Sequence, residues 1–212
     1  GAGKSTTINM ATGLLNPTAG EIRVLGMDLQ RQPLGIKRLI GVMPQEGGQL
    51  DCLTGRQYLH FVGRIHGLDD ATIARRSEEL FETLELEPEP RALIRDYSGG
   101  MRKKVALSAA LIHGPQLVFL DEPFEGLDPM TARTMKDILL GLHHKGVTVL
   151  MSSHMLEVVE KLCPLVAIIE KGRLVGLGSV DQLRQEVGTD GSLESLFIEL
   201  MGGARHGELS WL

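Results

Sequence analysis

Four apolar residues, Leu117, Val118, Phe119 and Leu120, run straight into two acids, Asp121 and Glu122. A strand with no polar position along it has no face to turn to water, so it belongs inside a parallel sheet covered by helices on both sides. Acids at the end of such a strand emerge at the rim of the sheet, where ligands bind. The bland alternative is a strand end with solvated charges, and the run alone does not separate the two.

The rest of the chain supports the buried sheet. Short β-type runs at residues 22–25, 39–43, 147–152 and 166–170 alternate with longer segments of helical period, and the last run continues through Lys171-Gly172 into residues 173–177 as a hairpin. This pattern predicts an α/β fold with a mostly parallel sheet and helices on both faces. The central runs read as strands buried on both faces. Between Gln45 and Pro115 the β signal disappears. Tyr58, Phe61, Val62 and Ile65 make one helical stripe, and Ile73, Leu80, Phe81 and Leu84 make a second. The expected organisation is an α/β core from residues 1–45 and 115–184, an inserted helical subdomain over 46–114, and a helical tail over 185–212. Glu87-Pro88-Glu89-Pro90 is expected to be a loop, and residues from Val180 onward to form two short amphipathic helices before a loose Gly-rich end.

Gly1-Ala2-Gly3-Lys4-Ser5-Thr6 matches the back half of Gly-x-x-x-x-Gly-Lys-Ser/Thr, a loop whose glycines let backbone N–H groups curl around phosphates at a helix start. In that pattern Lys4 reaches the β and γ phosphates and the Ser5 hydroxyl ligates magnesium. A tight glycine turn before a helix is the alternative reading of the string alone. Tyr97-Ser98-Gly99-Gly100-Met101 offers a second anion site: Ser98 is a good N-cap, and two glycines leave amides bare at a helix start. As a plain capped helix it is poorly explained, because each glycine costs about 1 kcal/mol relative to alanine.

The stretch from Asp96 to Ala110, followed by residues 117–129, resembles the signature helix, Walker B strand and D-loop of the ABC ATPases. The usual signature is Leu-Ser-Gly-Gly-Gln. This chain has Tyr97 in the first place and Met101 in the last, and keeps Ser98, Gly99 and Gly100. The other family positions follow in order: Gln45 resembles the Q-loop glutamine, Gly126-Leu127-Asp128-Pro129 the D-loop, and His154 the switch histidine. The segments Tyr97 to Arg102, Ser153 to Glu160 and Ser192 to Phe197 are similar to the drug-resistance and export branch.

The resemblance implies a P-loop NTPase fold of the RecA-like type that binds ATP and Mg2+. It implies nucleotide contacts from Gly1, Ala2, Gly3, Lys4, Ser5, Thr6, Gln45, Ser98, Gly99, Gly100, Asp128 and His154. Magnesium would be held by Ser5, Gln45 and Asp121. Glu122 would polarise the attacking water, with Gln45 and His154 aligning it and the γ-phosphate. Two nucleotide-binding domains would pair head to tail, as a homodimer, and drive export through a separately encoded integral membrane subunit. The place of work is then cytoplasmic, peripheral on the inner face of the cell membrane. The resemblance also makes the chain N-terminally truncated within Walker A, with the first loop glycine, the strand before it and the adenine-stacking aromatic residue outside it. Weak ATP binding and poor solubility of these 212 residues by themselves are the expectation.

A soluble ABC ATPase acting in DNA repair or translation is the rival reading. Such proteins carry coiled-coil insertions or a second cassette, and neither heptads nor a repeat is present. A net charge of −5 also disfavours a nucleic-acid partner. Cys52 and Cys163 lack metal-ligand spacing, so no zinc site is expected. No apolar run is long enough to span a bilayer. Arg102-Lys103-Lys104 reads as a solvated helix face, and His60, His66, His113, His143, His144 and His206 read as satisfied loop residues.

Overall fold

A computed structural model of the chain describes residues 1–45, 51–86, 91–188 and 191–200. The expected loop at Glu87-Pro88-Glu89-Pro90, the Gly-rich end of the tail and His206 lie outside the described residues. The chain forms two compact units, one of Ser5–Ser153 and one of Gly1–Lys4 with His154–Leu212.

The larger unit takes most of α1 (Lys4–Ala11), a small hairpin of β1 (Arg23–Val24) and β2 (Met27–Asp28), and α2 (Pro33–Leu39). After β3 (Ile40–Met43) come α3 (Gly55–Ile65), α4 (Asp70–Thr83) and α5 (Gly99–Leu111). The unit closes with β4 (Leu117–Asp121), α6 (Pro129–His144) and β5 (Thr148–Ser152). Strands β3, β4 and β5 form a parallel sheet in that order, with Met43 opposite Leu120 and Asp121 opposite Ser152. Every residue of β4 is buried, as its unbroken apolar run requires. Ile8, Val24, Leu29, Ile36 and Ile40 pack with Leu117 and Phe119 into one core cluster.

Three readings change. Residues 22–25 do not extend the parallel sheet: positive φ at Leu25 (51°) and Gly26 (77°) turns the chain back after two residues into an antiparallel pair. Strand β5 is not covered on both faces, and Leu150 is 45% exposed. The stripe proposed for α3 is also not its buried face, since Phe61 and Ile65 are 46% and 66% exposed while Gly55, Leu59 and Gly63 are buried. The reason is close approach. A Cβ on Gly63 would stand 2.7 Å from Ile73 Cγ1, and one on Gly55 would stand 3.0 Å from the Tyr97 hydroxyl. Small residues admit the neighbouring helices, so the seam of α3 is marked by two glycines on either side of Leu59 rather than by a stripe of large residues. The stripe of α4 is as expected, with Ile73, Phe81 and Leu84 buried.

Local chemistry sets the helix starts. Thr54 and Gln57 form a reciprocal capping box before α3, Asp69 caps α4, Ser98 caps α5 and Asp128 caps α6 ahead of Pro129. Tyr97, buried in front of α5, accepts a hydrogen bond from the Gly55 amide at 3.2 Å and so ties the start of α5 to the start of α3.

The smaller unit holds α7 (Leu156–Leu162), the hairpin β6 (Val166–Glu170) and β7 (Arg173–Gly178), α8 (Val180–Val187) and α9 (Leu193–Leu200). Its core is Val166, Ile168, Leu183, Leu193 and Leu196. Lys171 (φ 47°) and Gly172 (φ 77°) make the hairpin turn, as the sequence suggests.

At the end of α3, His66 stacks on His113 with ring centroids 3.7 Å apart. His113 Nε2 lies 3.0 Å from the Ile40 carbonyl, and its buried Nδ1 has no hydrogen-bond partner among the described residues. Burial pushes the His113 pKa down to about 4, aided by the adjacent His66 and Arg76. Burial also lowers that of His66. Unfolded histidine titrates near 6.5 and the folded rings lower, so both contribute their full stability above pH 6.5 and lose it as pH falls, His113 as pH approaches about 4. Urea unfolding should therefore show a lower midpoint at about pH 5 than at about pH 7.5, and His113→Leu should flatten the difference.

Gly41 supplies a second test. A Cβ there would sit 2.1 Å from the Ala110 carbonyl oxygen, a backbone atom that cannot swing aside. Gly41→Ala should cost about 1–3 kcal/mol in a denaturant titration by forcing β3 and α5 apart.

Candidate functional site

The three parallel strands end at one edge of the sheet, and the chemistry gathers there. Asp121 closes β4 and Ser152 closes β5 directly opposite it. The Ser152 hydroxyl donates to Asp121 Oδ1 and accepts the Glu122 amide at 3.0 Å. One hydroxyl thus serves both acidic residues, and Asp121 and Glu122 are each only 5% exposed. Glu122 has φ 49°, in the left-handed region that a residue with a long side chain rarely occupies.

Further contacts hold the segment after β4. Lys103, one turn into α5, donates from Nζ to the Glu122 carbonyl at 2.7 Å. The Glu125 amide donates to the same carbonyl at 3.3 Å. Gln45, two residues beyond β3, donates from Nε2 to Glu125 Oε2 at 3.0 Å. Burial lowers the Lys103 pKa, while the charges of Glu125 and Glu122 act the other way.

The Arg102-Lys103-Lys104 run is not a solvated face. Arg102 donates to the Tyr97 and Arg95 carbonyls, Lys103 to that of Glu122, and Lys104, itself buried, to that of Glu85. Successive helix positions point about 100° apart, so the three cations reach three different backbone segments.

At the start of α5 the Ser98 hydroxyl accepts the Met101 amide at 3.2 Å. A Cβ on Gly99 would meet nothing within 4 Å, and one on Gly100 would touch Thr131 Oγ1 at 3.4 Å. Packing therefore does not require Gly99, and its cost to the helix stands without a structural return. Asp128 caps α6 by accepting the Met130 and Thr131 amides, each at 3.0 Å, and the Thr131 hydroxyl at 2.6 Å. The Thr131 hydroxyl, foremost among these bonds, keeps its carboxyl below the usual range.

Ser5, Thr6, Gln45, Ser98, Gly99, Gly100, Asp121, Glu122 and Asp128 all belong to the larger unit; Gly1, Ala2, Gly3, Lys4 and His154 belong to the smaller. Within the smaller unit, Gly3 has φ 103°, and a Cβ on it would lie 3.3 Å from Gly172 Cα. The Gly172 amide donates to the Ala2 carbonyl at 2.8 Å, which seats the start of the chain on the β6–β7 turn. Among the described residues no three His, Cys, Asp or Glu side chains gather as a metal cluster.

Sequence reasoning missed Ser152, Lys103 and Glu125 as members of this network. Ser152 could have been found by register, since parallel strands that both end at the rim bring their last residues side by side.

A parallel sheet carrying paired acids on its rim, a Gly-Lys-Ser loop opening α1 and a glycine-started α5 define a P-loop nucleotide-binding protein. The family described as ABC transporter matches residues 1–125. The chain is 37% identical to the daunorubicin resistance ATP-binding protein DrrA3 of Streptomyces coeruleorubidus, over 90% of this chain and 60% of that protein. It is 35% identical to the linearmycin resistance ATP-binding protein LnrL of Bacillus subtilis, over 90% of this chain and 61% of that protein. Among solved structures, one described as the ATP-binding subunit of an ABC transporter superposes with a TM-score of 0.87 at 32% identity, covering 94% of this chain and 84% of that one. The chain belongs to the ABC transporter family, and it spans about three fifths of the length of these two relatives.

Removing the shared hydroxyl tests the network. Ser152→Ala strips a buried carboxylate and a buried amide of one partner each and should lower stability by about 1–3 kcal/mol, read by thermal or urea unfolding.

Proposed function

We propose that this chain binds and hydrolyses ATP as the nucleotide-binding part of an ABC transporter and powers export through a separate integral membrane subunit. The observation that carries the reading is the pair of buried rim acids, Asp121 and Glu122, held by one serine at the end of a fully buried parallel strand. Burying two adjacent acids costs stability, and a purely structural strand end has no use for them.

The donor set suits the implied groups. Hydroxyl, amide and carboxylate oxygens from Ser5, Gln45 and Asp121 are hard ligands of the kind magnesium takes. When bound, magnesium neutralises charge building on the phosphates during transfer. Gly1, Ala2, Gly3 and Thr6 offer backbone amides to phosphate at the start of α1, and Lys4 adds a positive charge. Glu122 orients and deprotonates the attacking water, Gln45 and His154 keep it aligned, and Asp128 holds the turn before α6. Ser98, Gly99 and Gly100 present the bare start of α5 to the nucleotide of a second copy, which makes a head-to-tail homodimer the working form.

No described helix is long and apolar enough to cross a membrane. We assign the transport path to the partner subunit by the family resemblance, with this chain seated on the inner face of the cell membrane. We propose that residues 46–114, next to Gln45, pass motion to that partner, while residues 1–45 and 115–184 form the ATP-binding core and residues 185–212 a helical tail.

Glu122→Gln keeps the shape of the side chain and removes its basicity. Steady-state ATP hydrolysis should fall by about a hundredfold or more, with nucleotide affinity by equilibrium binding within about twofold of the parent. Parental turnover in this variant would overturn the assignment of Glu122.

A further inference from the structure

The left-handed backbone of Glu122 requires an explanation that its role as a base does not give. A non-glycine residue at φ 49° is strained and persists only where its surroundings fix it. Both peptide groups flanking Glu122 are fixed, by different elements. Its amide is held by Ser152 of β5 and its carbonyl by Lys103 of α5, with the Glu125 amide as a weaker second donor. The serine belongs to the sheet, whereas the lysine belongs to the helix that begins Ser98-Gly99-Gly100.

Half-burying an ammonium to hydrogen-bond one carbonyl has a desolvation cost, which a neutral side chain donating the same bond would reduce. The charge has a second use here, because it lies within the field of both Glu122 and Glu125.

We propose that Lys103 is a positioning residue for the hydrolytic step: it holds the Glu122 carbonyl so that the left-handed turn, and with it the direction of the Glu122 side chain, is set by the position of α5. This rests on the reading of Glu122 as the base for ATP hydrolysis. The glycine-started helix and the water-activating acid are then joined by one hydrogen bond of 2.7 Å within a single chain. A displacement of α5 relative to β4 thus reaches the carbonyl beside the carboxylate directly, through Lys103.

The test uses Lys103→Met, which keeps the aliphatic stem and removes the donor, and Lys103→Arg, which restores a charged donor. Both are made in the full chain assembled with its membrane partner. Lys103→Met should lower kcat by about ten- to a hundredfold, as expected for a misplaced catalytic group. KM for MgATP and nucleotide affinity should stay within about twofold. Amide hydrogen exchange, read without nucleotide, should speed up at Glu122 and in the segment after it. Lys103→Arg should recover most of kcat. Lys103→Met combined with Glu122→Gln should be no slower than Glu122→Gln alone, because both act through one carboxylate.

Parental kcat and parental exchange in Lys103→Met, beside an inactive Glu122→Gln, would overturn the role of Lys103 and leave the base assignment standing. An active Glu122→Gln would instead overturn the base assignment itself. If Lys103→Met does not fold, Lys103→Gln carries the same comparison. Its shorter side chain ends short of the carbonyl, and parental turnover in it would likewise overturn the proposal.

Discussion

One serine hydroxyl holds together the part of this molecule on which the rest depends. Ser152 donates a hydrogen bond to Asp121 and accepts one from the amide of Glu122, so it pins two neighbouring acids at the end of a strand whose other residues are all apolar. Without that partner the two acidic residues would emerge from a dry sheet with a carboxylate and an amide short of hydrogen bonds, which is expensive in a low dielectric. The bridge also requires β4 and β5 to end in register, which fixes the height of the rim from which Gln45 and the segment after Glu122 depart.

Much of this was legible in the sequence because the constraint is crude. A run of four apolar residues followed by two acids permits few arrangements, and Leu117–Asp121 forms the buried central strand as read. The hairpin at Lys171-Gly172 and the N-cap at Ser98 were equally plain, since their residue types answer to single local rules. Tertiary choices were harder to see. The packed face of α3 is Leu59 between Gly55 and Gly63, and the two glycines make no apolar stripe, so the large residues at Phe61 and Ile65 drew the reading to the wrong side. Charge misled in the same way at Arg102, Lys103 and Lys104. Cations on a helix are usually solvated, and only the fold reveals the backbone carbonyls within their reach.

Within the larger unit, several polar contacts of the helices between β3 and β4, with one another and with the sheet, run from a side chain to a backbone carbonyl. Lys103 and Lys104 each hold a carbonyl, Arg76 reaches the carbonyl of Ile112, and His113 meets that of Ile40. Such contacts specify where a helix lies more narrowly than apolar packing does, because a hydrogen bond tolerates little change in distance or angle. The buried apolar residues supply attraction without direction, and these polar contacts set the alignment.

The tyrosine in front of α5 adds one more fixed point to that alignment. Where the family signature usually has leucine, Tyr97 offers its hydroxyl to the first amide of α3, and Gly55 leaves just enough room for it. The start of the glycine-started helix is thereby fastened to the start of α3. The first turns of α3 and α5 therefore share one joint, and neither can draw away from the other without losing both that bond and the close packing at Gly55.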